Sequence, residues 1–130
     1  MKPSILIVDD NKLICYSLER LFSDEYITYK AFNGREGLDI IRQNSNIDIV
    51  LSDIMMPVMD GIEMIEKLRS KNKDIIIIAI TAVYSGEIVS DVIEKGANLC
   101  LMKPFDIPQL RKTLIRFLEN RKSNRANPPN

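Results

Sequence analysis

Asp9 and Asp10, Asp53, Thr81 and Lys103 each fall just past the end of a short apolar run. The runs are Ile5-Leu6-Ile7-Val8, Ile49-Val50-Leu51-Ser52, Ile75 to Ile80 and Leu99 to Met102. As parallel strands of one sheet they would end side by side, and open α/β sheets bind ligands outside the carboxyl ends of their strands. That placement gathers three carboxylates, a hydroxyl and an ammonium around one pocket. Two like charges ~4 Å apart repel by roughly 4 kcal/mol at an effective dielectric of ~20. Either one acid stays protonated, then, or a divalent cation sits among them. Magnesium suits the place, because it takes hard oxygen ligands, accepts one or two carboxylates and completes its shell with water and substrate phosphate. One carboxylate can then attack phosphorus, since phosphoryl transfer asks a protein mainly for positioning and charge neutralisation. The Lys103 ammonium would offset charge on the equatorial oxygens and the Thr81 hydroxyl would donate to one of them. The product would be an aspartyl phosphate.

Singly, each of these residues has a plainer explanation. Asp is favoured at helix N-caps, Asp53 could be a turn residue ahead of Pro57, Thr81 a loop cap and Lys103 one more surface lysine. What those explanations lack is a reason for the coincidence at four successive strand ends.

The elements that must position these groups alternate regularly. Strands are expected at about 4–8, 26–31, 47–52, 75–80 and 98–102. The first and fourth are continuous aliphatic runs, as in strands covered on both faces. The second, Tyr26-Ile27-Thr28-Tyr29-Lys30-Ala31, alternates apolar and polar residues and suits an edge. Between them, helical spacing is set by Ile14, Leu18, Leu21 and Phe22, by Leu38 and Ile41 behind an Asn33 cap, by Ile62, Ile65 and Leu68, and by Ile88, Val89, Val92 and Ile93 ahead of Gly96. A last helix opens at Asp106-Ile-Pro-Gln and carries Ile107, Leu110, Leu114, Phe117 and Leu118. Five strand–helix units predict an α/β fold of the flavodoxin-like, doubly wound kind: a five-stranded parallel sheet with five helices on its two faces. An edge-like second strand favours the order 2-1-3-4-5, with the switch point between the strands that carry Asp9, Asp10 and Asp53.

At 130 residues and 14.9 kDa, with 45% hydrophobic residues, the chain is expected to form one domain over 1–120. Residues 121–130 lose the apolar period and read as a flexible tail or the start of a linker. There is no apolar run of bilayer length and no secretory core behind Met1-Lys2-Pro3-Ser4, so a cytoplasmic protein is expected. Cys15 and Cys100 are far apart and histidine is absent, which excludes the usual Cys/His transition-metal sites and predicts two reduced, buried thiols. Formal net charge is zero, yet seven cations against two acids follow from Lys103 onward. Cations complement a helix C-terminus, and without interleaved aromatics they make direct nucleic-acid binding unlikely.

The segments ILIVDDN, DIVLSDIMMPVMDGIEMIEKLR, the threonine of AITA, and KPF together resemble the response-regulator receiver domains of two-component signal transduction, over essentially residues 3–120. The resemblance implies that Asp53 is the phosphoacceptor, with a sensor histidine kinase or phosphotransfer protein as donor. It further implies that Asp10 ligates magnesium directly, that Asp9 assists through water, and that the Met55 backbone carbonyl supplies another oxygen. Thr81 and Lys103 match the hydroxyl and lysine that contact the phosphoryl group. Pro57 and Asp60-Gly61 match the turn into the third helix, and Lys103-Pro104 matches a cis peptide. Phosphorylation would shift a pre-existing equilibrium at the surface of helix 4, strand 5 and helix 5, which an output partner, a fused domain or a second copy of the chain reads.

One position departs from the family pattern. Cys100 stands where these proteins usually carry Tyr or Phe, three residues before the lysine, whose ring moves with the threonine. Tyr84 is the candidate to fill the space. Of the methionines, Met56, Met59 and Met64 are expected to pack around the third helix, and Met55 to project over the pocket. Competing functions fit less well. An aspartyl phosphatase would want Asp-x-Asp after the first strand, and a flavodoxin-like cofactor carrier a Ser/Thr/Gly-rich loop where Asp-Asp-Asn-Lys would repel phosphate. A phosphate-independent interaction module is the remaining alternative, which the Cys100 departure keeps open.

Overall fold

The continuous aliphatic runs become the inner strands of a parallel sheet, and the alternating run becomes its edge. In the computed structural model, which describes residues 1–126, the elements follow as β1 (Ser4–Val8), α1 (Lys12–Phe22), β2 (Ile27–Ala31), α2 (Gly34–Gln43), β3 (Ile49–Asp53), α3 (Gly61–Lys71), β4 (Ile76–Thr81), α4 (Gly86–Lys95), β5 (Leu99–Met102) and α5 (Ile107–Ala126). The sheet order is β2-β1-β3-β4-β5, all parallel. The expected flavodoxin-like α/β architecture is therefore the one observed.

Side-chain alternation along each strand divides the core in two, since successive residues of a strand point to opposite faces. Leu6, Val8, Val50, Ile77 and Ala79 pack under α2, α3 and α4 against Met64, Ile65, Leu68 and Val92. Ile5, Ile7, Ile49, Leu51 and Ile78 pack on the other face under α1 and α5, against Cys15, Phe22, Leu110 and Leu114. Each such aliphatic side chain contributes about 1.5–3 kcal/mol by leaving water. The helices start where a short polar side chain can satisfy free backbone donors. Asn11, Asn33, Asp60 and Ser85 each accept from the backbone N–H of a first-turn residue. Helix α4 stops at Gly96, whose φ of 126° suits a residue without Cβ.

Three details differ from the expectation. Asp53 and Thr81 are the last residues of β3 and β4, not the first beyond them, because the ladder continues through Asp53↔Ile80 and Thr81↔Met102. On α1 the buried stripe is Cys15, Leu18 and Phe22, while Leu21 is 41% exposed. Helix α5 runs on to Ala126, past the end of its apolar period. Polar contacts carry it there: the Arg121 guanidinium donates to Asp48 Oδ1 at 2.5 Å, and Arg125 pairs with Asp74. Residues 127–130, the rest of the segment read as a tail, lie outside the described residues. No described helix is long and apolar enough to cross a membrane.

Candidate functional site

The switch point of the sheet lies between β1 and β3, and their register sets Val8 beside Ser52. The chain leaving β1 therefore carries Asp9 level with Asp53 at the end of β3. One carboxylate oxygen from each of Asp9, Asp10 and Asp53 lies within 4.8 Å of the other two. Their exposure is graded: Asp9 is buried at 4%, Asp53 is half-buried and Asp10 is exposed.

Lys103 closes the group from β5. Its Nζ donates to Asp9 Oδ2 at 3.1 Å and to Asp53 Oδ2 at 3.3 Å. The backbone of Lys103 is fixed by donation of its N–H to the Thr81 carbonyl at 2.8 Å, and the Lys103–Pro104 peptide is cis. Burial penalises the ammonium, but the hydrogen bond to Asp9 and the charges of Asp53 and Asp9 outweigh it, so Lys103 titrates above its ordinary range. Asp9 is raised as well, which for a carboxylate favours the neutral form. Desolvation dominates and raises it, against the lowering effects of the Asn11 N–H and Lys103. Three carboxylates around one ammonium leave the pocket short of positive charge.

Several supporting contacts could not be assigned from residue types alone. The Asn11 N–H donates to Asp9 Oδ1 at 2.9 Å, the Ile54 N–H donates to Asp53 Oδ1 at 2.8 Å, and the Cys15 thiol donates to the Asp9 carbonyl at 3.2 Å. Together these leave Asp9 and Asp53 little rotational freedom. Asn11 had a visible signal, an N-cap residue directly after two acids. Gly61 had a weaker one, a glycine after Asp60. A Cβ there would overlap the Asp53 carbonyl oxygen and come within 2.8 Å of Ile54 Cα. The Gly61 N–H also donates to the Ile54 carbonyl at 2.7 Å. This close approach seats the start of α3 directly on the end of β3.

Thr81 is fully buried at the end of β4. Its hydroxyl donates to the Val83 carbonyl and accepts from the Val83 N–H, both at 3.0 Å. The hydroxyl is thus engaged with its own loop. Met55 follows in the β3–α3 loop with its side chain 64% exposed, whereas Met56 and Met64 pack in the core. In the same loop Val58 has φ 70°, a left-handed conformation that is costly for a β-branched residue. Cys100 is 6% exposed, lies beside Ala79 in the sheet and belongs to the buried cluster that includes Val92 and Ala97. The half-exposed Tyr84 is not part of that cluster, so it does not take the place of the missing ring.

The acceptor set fits a hard divalent cation. Three carboxylate oxygens converge and no imidazole is available, the chain having no histidine. The thiol of Cys15, pushed up to about 11 by burial and by the Asp9 charge, donates to the Asp9 carbonyl and is not among the converging acceptors.

Comparisons agree with this geometry. A family model described as "Response regulator receiver domain" matches residues 5–115. The chain is 36% identical over 119 residues to sporulation initiation phosphotransferase F of Bacillus subtilis, covering 91% of this chain and 95% of that protein. It spans only 9 to 32% of several longer relatives, some of them sensor histidine kinases. Among solved structures, a CheY-like response regulator receiver domain from Methanospirillum hungatei JF-1 superposes with a TM-score of 0.90 at 28% identity, covering 95% of this chain and 99% of that one. A chain of the CheX-CheY-BeF3-Mg+2 complex from Borrelia burgdorferi superposes with a TM-score of 0.82 at 31% identity, over 89% of each chain. Fold, clustered acids and family match converge: the chain belongs to the response regulator receiver domains of two-component signalling.

Proposed function

We propose that the protein is a phosphorylation-dependent switch in which Asp53 accepts a phosphoryl group from the phosphohistidine of a sensor histidine kinase or phosphotransfer protein. The observation that carries the reading is the Lys103 ammonium bridging Asp9 and Asp53 beside a third carboxylate, Asp10. Asp9, Asp10, Asp53 and the Met55 carbonyl are the oxygens that would hold Mg2+. When bound, that ion neutralises negative charge on the acids and on the incoming phosphoryl group.

The remaining work falls to the chain. An Asp53 carboxylate oxygen forms the new bond to phosphorus, while the phosphorus–nitrogen bond to the donor imidazole breaks and its electron pair stays on that nitrogen. The Ile54 N–H holds Oδ1 of Asp53, so the carboxylate is oriented before the donor arrives. Lys103 has a second partner in Asp9, and can turn its charge toward the transferred group without becoming an unpaired buried cation. To donate to a phosphoryl oxygen, the Thr81 hydroxyl must release the Val83 carbonyl. That exchange links phosphorylation to the loop ahead of α4. The surface it would alter is that of α4, β5 and α5, where Tyr84, Ile93, Met102 and Ile115 are each about half exposed. A partner, a fused domain or a second copy of the chain would read it in the cytoplasm. The protein acts as a switch with self-limited chemistry and not as a turnover enzyme.

Intact-mass spectrometry after incubation with a small-molecule phosphodonor tests this directly. A magnesium-dependent phosphoryl adduct on the wild type, absent from Asp53→Asn, is expected. Folded wild-type protein that binds magnesium yet takes no adduct would leave a phosphate-independent interaction module instead.

A further inference from the structure

Helices α2 and α3 do not close on one another along their whole length. A groove of about 530 Å³ runs between them, away from the carboxylate pocket. Its apolar lining is Leu38 and Ile41 from α2, Leu68 from α3 and Met59 from the preceding loop. Its rim is cationic on both sides, with Arg35 and Arg42 on α2 and Lys67 and Lys71 on α3. Asp39 is the one carboxylate of the lining and already pairs with Arg42 at 3.3 Å; Lys67 pairs with Glu63 at 3.7 Å. Among the described residues Arg35 and Lys71 form no ion pair. A chain of zero net charge has therefore placed four cations against one acid around an apolar slot.

We propose that this groove docks an acidic amphipathic helix of a partner protein. Charge complementarity sets the sign of the partner, and the shape sets its class. Arg35 and Arg42 are seven residues apart on α2, a rise of ~10 Å, which matches two turns of a helix with apolar anchors at i, i+3 or i+4, and i+7. Acidic residues flanking that stripe meet both rims at once. Small-molecule sites are built otherwise, with a few polar groups fixed deep in the pocket. Here the polar side chains that line the groove, Ser45, Ser70 and Asn72 among them, are exposed or half-exposed at its edge.

The test uses the full chain and synthetic helical peptides of about 15 residues, carrying leucine anchors flanked by glutamate or, in the control, by lysine. Binding is followed by backbone amide chemical shifts. Shifts confined to residues 35–45, 59 and 67–72 with the glutamate peptide, and none with the lysine peptide, are expected. The paired reversal Arg35→Glu and Lys71→Glu breaks no existing ion pair, so it should leave the fold unchanged and weaken binding by about tenfold or more. Raised salt should do the same. Equal binding of both peptides, shifts centred elsewhere, insensitivity to the reversal, or no shift at ~1 mM peptide would each overturn the proposal.

Discussion

Two glycines open helices in the same local setting, and the tertiary structure predicts opposite results from the same substitution. Gly61 follows the cap residue Asp60 at the start of α3, and Gly86 follows the cap residue Ser85 at the start of α4. Neither requires a positive φ. Local propensity alone therefore expects Gly→Ala to stabilise at both, by about 0.4–1 kcal/mol through the unfolded chain. At Gly86 no atom lies within 4 Å of the added Cβ, so that expectation stands. At Gly61 the Cβ would overlap the Asp53 carbonyl oxygen and press on Ile54 Cα at 2.8 Å, and both are backbone atoms that cannot rotate aside. Displacing the helix start forfeits the 2.7 Å bond from the Gly61 N–H to the Ile54 carbonyl, worth about 1 kcal/mol. Overpacking adds roughly 1–3 kcal/mol. After the gain in the unfolded state, Gly61→Ala should lose about 1–3 kcal/mol. At ~4 °C per kcal/mol for a domain of this size, its Tm falls by about 4–12 °C while that of Gly86→Ala rises by about 2–4 °C. Paired thermal and urea unfolding measures both. A Gly61→Ala protein as stable as the wild type, with Mg2+ affinity intact, would refute the claim that this contact seats Asp53.

Three further outcomes are expected. Mg2+ should raise Tm by ligand linkage, about 1.4 kcal/mol at ten times its dissociation constant; Asp10→Asn should be more stable than wild type without the ion, by ~1 kcal/mol at most because Asp10 is exposed, and should gain little from adding it, as calorimetry with and without chelator would show. Val58→Gly relieves the left-handed strain of ~1–2 kcal/mol against the entropic cost of glycine, so a net stabilisation of about 0.5–1 kcal/mol should appear as a higher urea midpoint at unchanged slope. Cys100→Tyr should still take a phosphoryl group on Asp53, because Cys100 is not one of the clustered acceptor groups, but it must fit a ring at a position only 6% exposed in the buried cluster; a loss of about 1–3 kcal/mol with the adduct retained is expected, and loss of the adduct in folded protein would show that the two sites are not separable.

Much of the fold was legible in the residues because its signals are local. Continuous Ile/Val/Leu runs specify strands buried on both faces, and the mixed run 26–31 specifies an edge, whatever else the chain does. The acids, threonine and lysine at successive strand ends could be grouped as soon as the strands were taken as parallel, because side-by-side strands bring their ends together. Two features were not legible from the apolar period. Leu21 has the right period on α1, but Cys15 faces the sheet instead, since the orientation of a helix about its axis is settled by what it packs against. The tail reading from Arg121 rests on a lost apolar period; as far as Ala126 the segment continues α5, where Arg121 pairs with Asp48 and Arg125 with Asp74, residues far away in sequence.

What the chain determined by itself, then, is the order of the elements and the inventory of chemical groups at one edge of the sheet, since both follow from residue type and short-range period. Tertiary structure decided the rest. It set which acid is buried and which exposed, gave Lys103 two carboxylate partners, turned the Thr81 hydroxyl toward Val83, made Gly61 costly to replace and Gly86 replaceable, and left a cationic groove open between α2 and α3. Each of these depends on distances between residues far apart in sequence, and those distances exist only once the helices have packed on the sheet.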